Sequence, residues 1–246
     1  MRALRSTISL LVLAAALAAC LPIPGTGGQT IDGSGALAEE TRPVSGVTAV
    51  QLSMPGTLHI QIGPSESLRI SAEDNLLPYI RTDSRAGELD IHTESNVNLR
   101  PTQPIDYFLT VASLDTIHVS SSGDIEAPAL TATHFDVGIS SSGSITIDSL
   151  QAETLRVEIS SSGSLAILAG AVPEQDISIS SSGAYDARNV ESQEIDVRLS
   201  SSGSATVRVA GILKADLSSS GNVYYLGSPQ LRVETSSSGK AIPAGD

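Results

Sequence analysis

Two aspartates that stand twenty residues apart, Asp176 and Asp196, form the carboxylate pair of this chain whose spacing could support acid–base chemistry. The segments around them repeat with the same spacing, and stacked copies of an extended repeat lie about 4.8 Å apart. That distance resembles the separation of roughly 5 Å between the carboxylates of retaining glycosidases. The same column of the repeat also holds charges of both signs, at Asp136, Arg156, Lys214 and Arg232. Because Arg198 lies close by as well, the mixture favours a solvated strand face, and we assign no catalytic residue.

Other residues with chemical potential are too far apart to act together. Glu126 and Asp186 share a second column, but three repeats separate them, which is about 14 Å. The four histidines occur singly and none forms an H-x-x-x-H pair; they are His59, His92, His118 and His134. The chain contains no G-x-S-x-G nucleophile elbow and no phosphate-binding glycine loop. We therefore predict no metal site and no cofactor.

The feature that must position all of these residues is a repeated Ser-Ser-Ser-Gly motif. Copies start at residues 120, 140, 160, 180, 200, 218 and 236, so the spacing is twenty residues and then eighteen. An alternating apolar run precedes each copy, as in Leu155-Arg-Val-Glu-Ile159, and a shorter run follows it. Period-two alternation with β-branched residues indicates a strand with one buried face. Each repeat is thus expected to be strand, corner, strand and tight turn.

Units of this size cannot bury their apolar side alone, so they must stack. The sequence predicts an all-β fold, a right-handed parallel β-helix with coils of 18–20 residues. Equivalent apolar residues should form one internal ladder through Ile139, Ile159, Ile179 and Leu199. The glycines that close the turns should supply positive φ; they are Gly123, Gly143, Gly163, Gly183, Gly203, Gly221 and Gly239. The turn serines should bond to turn backbone groups and to the serine of the next coil.

The N-terminal half is less regular, and we interpret it as irregular coils or a cap over the end of the helix. Its strand-like runs are 47–52, 57–62, 68–71, 88–92, 105–111 and 116–119. Only residues 74–80 could form a helical turn.

The first residues carry a secretory signal pattern, with Arg2 and Arg5 before an apolar stretch too short to remain as a membrane span. Leu17-Ala18-Ala19-Cys20 resembles the bacterial lipobox, and Cys20 is the only cysteine. The resemblance implies a signal peptide over residues 1–19, cleavage before Cys20, and acylation of that cysteine with fatty acids such as palmitate. Residue 21 is Leu rather than Asp, which implies sorting to the outer membrane in a Gram-negative bacterium. Residues 20–41 read as the lipidated cysteine and a flexible tether, and residues 42–246 as one domain.

The charge of the chain excludes one class of partner. The formal net charge is −13, and it becomes −15 once Arg2 and Arg5 are removed. So acidic a protein is repelled by phosphate backbones, and we predict no nucleic-acid partner.

Several segments resemble the family of putative auto-transporter adhesins, head GIN domain. They include Arg42-Pro-Val-Ser-Gly46, Asp74-Asn-Leu-Leu-Pro-Tyr-Ile80, Gly87-Glu-Leu-Asp-Ile91 and Ile117-His-Val-Ser120, followed by the Ser/Gly turns. The resemblance covers roughly residues 42–240 and implies a right-handed β-helix like that of pectin lyases, with turns joining two sheets, and a role in adhesion. The family often has S-G-S-G-D turns, whereas Asp follows the turn here only at Asp124.

These observations favour an envelope lipoprotein that acts as a binding or adhesion module without catalysis. It would contact the membrane through the lipid on Cys20, and its ligand would be a glycan or other cell-surface material. Two alternatives remain at this point: a carbohydrate-active enzyme of pectin lyase-like architecture, and a structural envelope protein with a protein partner. The sequence does not determine the oligomeric state.

Overall fold

A computed structural model describes residues 28–245 of this protein, and these residues form an all-β parallel solenoid. One 3₁₀ helix, Leu77–Tyr79, interrupts the strands where a helical turn was predicted. The strands are β1 (Gln29–Asp32), β2 (Leu37–Arg42), β3 (Ala49–Leu52), β4 (Thr57–Ile62), β5 (Ser67–Glu73), β6 (Ile80–Arg85), β7 (Glu88–Thr93), β8 (Val97–Arg100), β9 (Asp106–Val111), β10 (Thr116–Val119), β11 (Asp124–Ile139), β12 (Ser144–Ile159), β13 (Ser164–Ile167), β14 (Gly170–Ala171), β15 (Glu174–Ile179), β16 (Ala184–Ala187), β17 (Val190–Glu191), β18 (Glu194–Leu199), β19 (Ser204–Arg208), β20 (Ile212–Leu217), β21 (Asn222–Leu226), β22 (Gln230–Thr235) and β23 (Lys240–Pro243).

Each twenty-residue coil contains three extended segments, one more than the sequence predicted, whereas the eighteen-residue coils keep only two. In β12 they are a post-turn segment (144–147), a corner segment (149–152) and a pre-turn segment (154–159), and all three pair in parallel with neighbouring coils. The corner segment was missed because it is short, and later coils reduce it to the two residues of β14 or β17. The twenty-residue register itself is confirmed, since Ile139 pairs with Ile159 and Ile159 with Ile179.

The segments align into two long sheets on either side of the row of turns. The pre-turn sheet runs β6–β7–β3–β10–β11–β12–β15–β18–β20–β22. The post-turn sheet runs β2–β5–β9–β4–β11–β12–β13–β16–β19–β21–β23.

The first coil carries a diverged turn that the sequence analysis overlooked. Ser53-Met-Pro-Gly56 joins β3 to β4 as the Ser-Ser-Ser-Gly motifs join later strands. The backbone N–H of Ser120 donates to the Leu52 carbonyl (3.0 Å), and that of Asp124 donates to the Gly56 carbonyl (2.9 Å). The next coil in space therefore begins only at β10, and the residues between β4 and β10 form an insertion.

That insertion builds the cap that the sequence predicted at the N-terminal end. Strands β7 and β9 extend the two sheets by one further parallel layer, next to β3 and β4. Antiparallel strands then follow, with β6 beside β7, β5 beside β9 and β2 beside β5. The resulting mixed sheet differs from the purely parallel stacking of the regular coils.

The predicted tether over residues 20–41 is wrong in its second part, because β1 and β2 are strands. β1 pairs with β8 and β2 with β5, so both are held by residues 26 or more positions away in the chain. Glu73, whose side chain is buried, accepts hydrogen bonds from the Gly35 N–H (2.6 Å) and the Thr102 N–H (2.9 Å). The low-complexity composition of this segment gave no sign that it pairs with strands far away in the chain. Cys20 and the signal segment 1–19 lie outside the described residues.

The core is a narrow stack of aliphatic ladders, as expected for a chain with no Trp and two Phe. Ile139, Ile159, Ile179 and Leu199 are all buried and continue into Leu217. Tyr185 stands in another ladder between Leu165 and the small Ala205.

The ring of Tyr185 brings a polar group into this core. Its buried hydroxyl donates to Gln175 Oε1 (2.7 Å), and the Gln175 amide donates to Ser192 Oγ (2.6 Å). Each of these polar side chains thus has a hydrogen-bond partner, which burial requires.

The turn glycines are needed for a reason other than the one predicted. Among residues 28–245, none of the seven Ser-Ser-Ser-Gly glycines has a positive φ, which occurs instead at glycines such as Gly46 (φ 64°) and Gly87 (φ 86°). The turn glycines face inward against the preceding coil: a Cβ on Gly143 would stand 2.2 Å from the Gly123 carbonyl oxygen and 2.5 Å from Val119 Cγ1. Lack of space between coils, rather than backbone conformation, demands glycine.

The turns are tied together chiefly by backbone hydrogen bonds. The Ser160 N–H donates to the Ile139 carbonyl (2.9 Å), and the Ser164 N–H donates to the Gly143 carbonyl (3.2 Å). The predicted serine-to-serine bond is confirmed where Ser120 Oγ donates to Ser53 Oγ (3.0 Å). Within the described residues, no such bond joins one Ser-Ser-Ser-Gly turn to the next, so that part of the prediction is wrong: outward hydroxyls at successive turns point to solvent.

Candidate binding surface

A shallow groove crosses the outer face of the pre-turn sheet, near the first residues of its strands. Two neighbouring columns line it. One column stacks Thr154, Glu174 and Glu194, and the other stacks Asp136, Arg156, Asp176 and Asp196, one residue per coil. Alternation fixes their direction, because the intervening side chains Leu155 and Gln175 are buried in the core. The strands thus present a mainly acidic surface on a rigid frame.

The predicted register of the aspartates is confirmed, since Asp176 pairs with Asp196 across β15 and β18. Arg198 lies between the two carboxylates: its guanidinium donates to Asp176 Oδ1 (2.8 Å) and contacts Asp196 Oδ2 (3.3 Å). A cation held by both groups indicates an ion-pair network rather than an acid and a base turned towards a substrate. Glu126 and Asp186 are three coils apart, as predicted, with Thr146 and Ala166 between them.

A second ion pair stabilises the other column. The Lys214 ammonium donates to Glu194 Oε1, and this bond holds the pKa of Glu194 below its usual value. Within the described residues, Asp136 and Glu174 form no ion pair, so their carboxylates remain available at the groove. The Glu174–Glu194 column was not predicted, although the twenty-residue spacing of the two glutamates is visible in the sequence.

The four histidines stay apart, as the sequence predicted. His92 pairs with Asp83 (2.9 Å), and this hydrogen bond raises the pKa of His92 and lowers that of Asp83. His134 contacts Thr154 Oγ1 at the rim of the groove (2.7 Å). Between residues 28 and 245, no three His, Cys, Asp or Glu side chains are grouped so that they could hold a metal ion.

A separate polar row crosses the post-turn sheet at the cap. The Phe108 ring packs between His59, with ring centroids 5.0 Å apart, and the Arg69 guanidinium, 4.0 Å from the ring centroid. His59 in turn contacts Glu126 Oε2 (3.0 Å), and Arg69 pairs with Glu39. The row joins five strands, and the sequence could not reveal it because the insertion separates its members.

The fold places this protein in the class of capped, parallel β-solenoids. Its main exposed polar surfaces are the outward-facing columns, to which each coil contributes one residue. None of the helices in the described part of the chain has the length and apolar character of a membrane span.

The chain belongs to the family described as putative auto-transporter adhesin, head GIN domain, whose sequence profile matches residues 47–229. This confirms the resemblance seen in the sequence.

Solved structures share the fold at low identity. A putative adhesin from Bacteroides fragilis superposes with a TM-score of 0.78 at 19% identity, over 87% of this chain and 99% of that one. A putative lipid binding protein from Parabacteroides distasonis gives 0.71 at 20% identity, over 87% and 100%. A putative adhesin from Parabacteroides merdae gives 0.68 at 19% identity, over 87% and 100%. Among curated proteins, none matches this chain.

Proposed function

We propose that this protein is a lipid-anchored envelope protein that binds a cell-surface ligand through the groove of the pre-turn sheet, and that it performs no catalysis. The observation that carries the proposal is the pair of acidic columns, Glu174–Glu194 and Asp136–Asp196, held side by side on rigid strands and open to solvent. Family membership supports a binding role, since the family is described as putative auto-transporter adhesin, head GIN domain.

The chemistry of the groove favours hydroxyl-rich or positively charged ligands. Carboxylates accept hydrogen bonds from hydroxyl and ammonium groups. Thr154 and His134 add a hydroxyl and an imidazole at the rim. Anionic polymers are disfavoured, because the chain carries a net charge of −13 and the groove concentrates part of it. Neutral or amino-bearing glycans are therefore the ligand class that we propose.

Binding is tested with the purified chain from residue 21 onward, applied to arrays of neutral, amino-bearing and anionic glycans. We expect retention on the first two groups and none on the third. Glu174→Lys reverses a charge in the groove and should abolish retention. The matched control is Glu191→Lys, an identical charge change at an exposed corner of a neighbouring coil, which should bind as the unaltered chain does.

Two results would refute the groove as the site. One is retention that Glu174→Lys leaves unchanged while Glu191→Lys abolishes it. The other is an absence of binding to every glycan together with stable co-purification of one envelope protein. The second outcome would favour the structural alternative, a protein partner without a glycan ligand.

The membrane anchor is a separate part of the proposal and rests on the Leu-Ala-Ala-Cys20 segment. Two acyl chains suffice for stable anchoring. Cells that express the protein and are fed labelled palmitate should label it, and Cys20→Ser should remove the label and release the protein from outer-membrane fractions. Unlabelled protein that still sediments with membranes would contradict lipid anchoring.

The enzyme alternative is disfavoured by the position of Arg198 between Asp176 and Asp196. Carboxylates that work as general acid and nucleophile must both face the glycosidic bond. Here both carboxylates are turned towards one guanidinium of the chain itself. If the chain cleaved any polysaccharide and Asp176→Asn abolished that cleavage, this alternative would replace the binding module.

A further inference from the structure

The two ends of the solenoid differ in how their edge strands are covered. At the N-terminal end, Arg42 reaches over the core and donates to the carbonyls of Leu77 (3.2 Å) and Ile80 (2.7 Å). The antiparallel strands β2 and β6 form the outer edges there, and β6 carries Arg81, Asp83 and Arg85. Charged residues on an edge strand oppose pairing with other chains. At the C-terminal end, the described residues close with β22 and β23 and with no comparable cap.

Strand β22 presents the open edge of the pre-turn sheet. It pairs with β20 alone among the described strands, and all six of its residues are exposed. Leu231 and Val233 continue the inward columns of Leu213 and Ala215, yet they remain 42% and 39% exposed. Two core-facing aliphatic side chains thus lie at the end of the stack, and no other layer of residues 28–245 covers them.

The free hydrogen-bonding groups of β22 are spaced for a further strand. The Gln230 N–H donates to the Gly211 carbonyl (2.7 Å) and the Ser236 N–H to the Leu217 carbonyl (3.2 Å), both towards β20. Because amide groups alternate in direction along a strand, those of Leu231, Val233 and Thr235 point to the open edge. Val233 stands at the centre of this set.

The charges of β22 are unbalanced within one chain. Arg232 lies beside Lys214 and Glu234 beside Asp216, so each has a like charge as its neighbour in the register. Neither forms an ion pair within residues 28–245. Like charges on adjacent strands are destabilising, whereas opposite charges on adjacent strands attract.

We propose that β22 pairs with β22 of a second copy of this chain, antiparallel and centred on Val233, to give a two-fold dimer joined at the C-terminal ends. In that register the backbone of Val233 forms two hydrogen bonds with the backbone of Val233 in the second copy. The backbone of Leu231 likewise forms two with the backbone of Thr235 in the second copy. Arg232 then lies opposite Glu234 of the second copy, twice, at the closely spaced positions of an antiparallel ladder. The strand is self-complementary in hydrogen bonding, burial and charge, and the two-fold contact closes on itself.

The neighbouring edge does not compete for this role. Strand β23 carries Lys240 at its start and Pro243 at its end, and Pro lacks the N–H that a new ladder needs. Both residues are typical of an edge that stays in water. The dimer contact is therefore assigned to the pre-turn sheet.

The test is sedimentation velocity on the chain from residue 21 onward, over a dilution series that reaches high concentration. We expect a monomer–dimer equilibrium. Arg232→Glu and Glu234→Arg should each weaken the dimer by roughly tenfold or more, because two like-charge pairs replace two opposite ones. The double variant Arg232→Glu/Glu234→Arg restores complementarity and should restore the dimer. All of these side chains are exposed in the monomer, so far-ultraviolet circular dichroism should be unchanged.

Arg85→Glu at the N-terminal edge is the matched control, and it should leave the dimer intact. A monomer at every concentration would overturn the proposal. So would association that Arg85→Glu abolishes or that grows into filaments, since either indicates head-to-tail contact. A double variant no better than the single ones would exclude the register centred on Val233. These outcomes do not depend on glycan binding.

Discussion

Replacing Gly143 with alanine tests why the turns need glycine. The added Cβ would lie 2.2 Å from the Gly123 carbonyl oxygen, whereas ordinary contact begins at 3.4 Å. The two coils must therefore separate by about 1 Å at the turn. The hydrogen bond from the Ser140 N–H to the Val119 carbonyl, now 2.9 Å long, would be stretched beyond bonding distance.

The expected cost follows from these two effects. Overpacking a well-packed site costs about 1–3 kcal/mol. Loss of one backbone hydrogen bond adds about 1 kcal/mol. We therefore expect Gly143→Ala to lower the free energy of unfolding by about 2–4 kcal/mol, measured by equilibrium urea denaturation of the chain from residue 21 onward and followed by circular dichroism.

Gly138→Ala is the matched control, because Gly138 lies five residues before Gly143, on the strand that leads into the same turn, but faces outward. Its Cβ would stand 2.8 Å from Cδ2 of His118, a surface side chain that can rotate away. We expect a change below about 1 kcal/mol, since Ala is the better strand residue by roughly 0.5 kcal/mol. Gly143→Asn separates the two explanations: Asn tolerates positive φ but is bulkier than Ala, so lack of space predicts a larger loss than for Ala. Equal costs for Gly143→Ala and Gly138→Ala, or a milder effect of Asn, would refute the reasoning.

Three further predictions concern the polar groups of the core and cap. Tyr185→Phe should lower the free energy of unfolding by about 1–3 kcal/mol, because it leaves buried Gln175 without its donor; chemical denaturation would reveal it, and an unchanged midpoint would contradict it. Asp83→Asn should lower the pKa of His92 towards its ordinary value, because the hydrogen bond to Asp83 is the main cause of the raised pKa; proton NMR titration would show it, and an unmoved titration would show that Asp83 is not the cause. Hydrogen bonds from the Thr102 side chain and from backbone N–H groups lower the pKa of Glu73, so its contribution to stability is present above the ordinary carboxyl pKa and is lost as pH falls through the lowered value. The Glu73→Gln variant should therefore melt at a lower temperature than the unaltered chain at neutral pH, and its melting temperature should fall less on acidification. Melting temperatures that fall equally with pH in the two proteins would argue against this role of Glu73.

The repeat made most of the fold predictable. Because side chains alternate with period two and the turn recurs every twenty residues, one ladder such as Ile139–Ile159–Ile179 determines the neighbours of every other residue in those coils. That is why the stacking of Asp176 on Asp196 could be read from the sequence. The bridging position of Arg198 could not, because it depends on how a long side chain folds over two coils.

The cap was less predictable for a topological reason. Its strands pair with partners that lie far away in the chain, as β2 does with β5 and β3 with β10, and no period connects them. Ser53-Met-Pro-Gly56 still had a recognisable signal, since it follows the alternating Val50-Gln-Leu52 as each later turn follows its own run. The role of the turn glycines was misjudged because a one-residue motif does not distinguish a need for positive φ from a lack of space.

The uniform register of the coils also has an evolutionary consequence. Every regular coil pairs with its neighbours through the same pattern of backbone hydrogen bonds. Duplication or loss of one twenty-residue unit therefore leaves coils of the same kind in contact at each new junction. Each such event would lengthen or shorten the rod by about 4.8 Å. After Ser200 the spacing changes to eighteen residues. The two residues are lost at the corner between β19 and β20, which has no strand equivalent to β17, while β19 still pairs with β16 and β20 with β18; the corners thus tolerate small length changes as well. Rod length in this family can thus vary by gene-level copying of coils while the cap at one end and the edge at the other remain as they are.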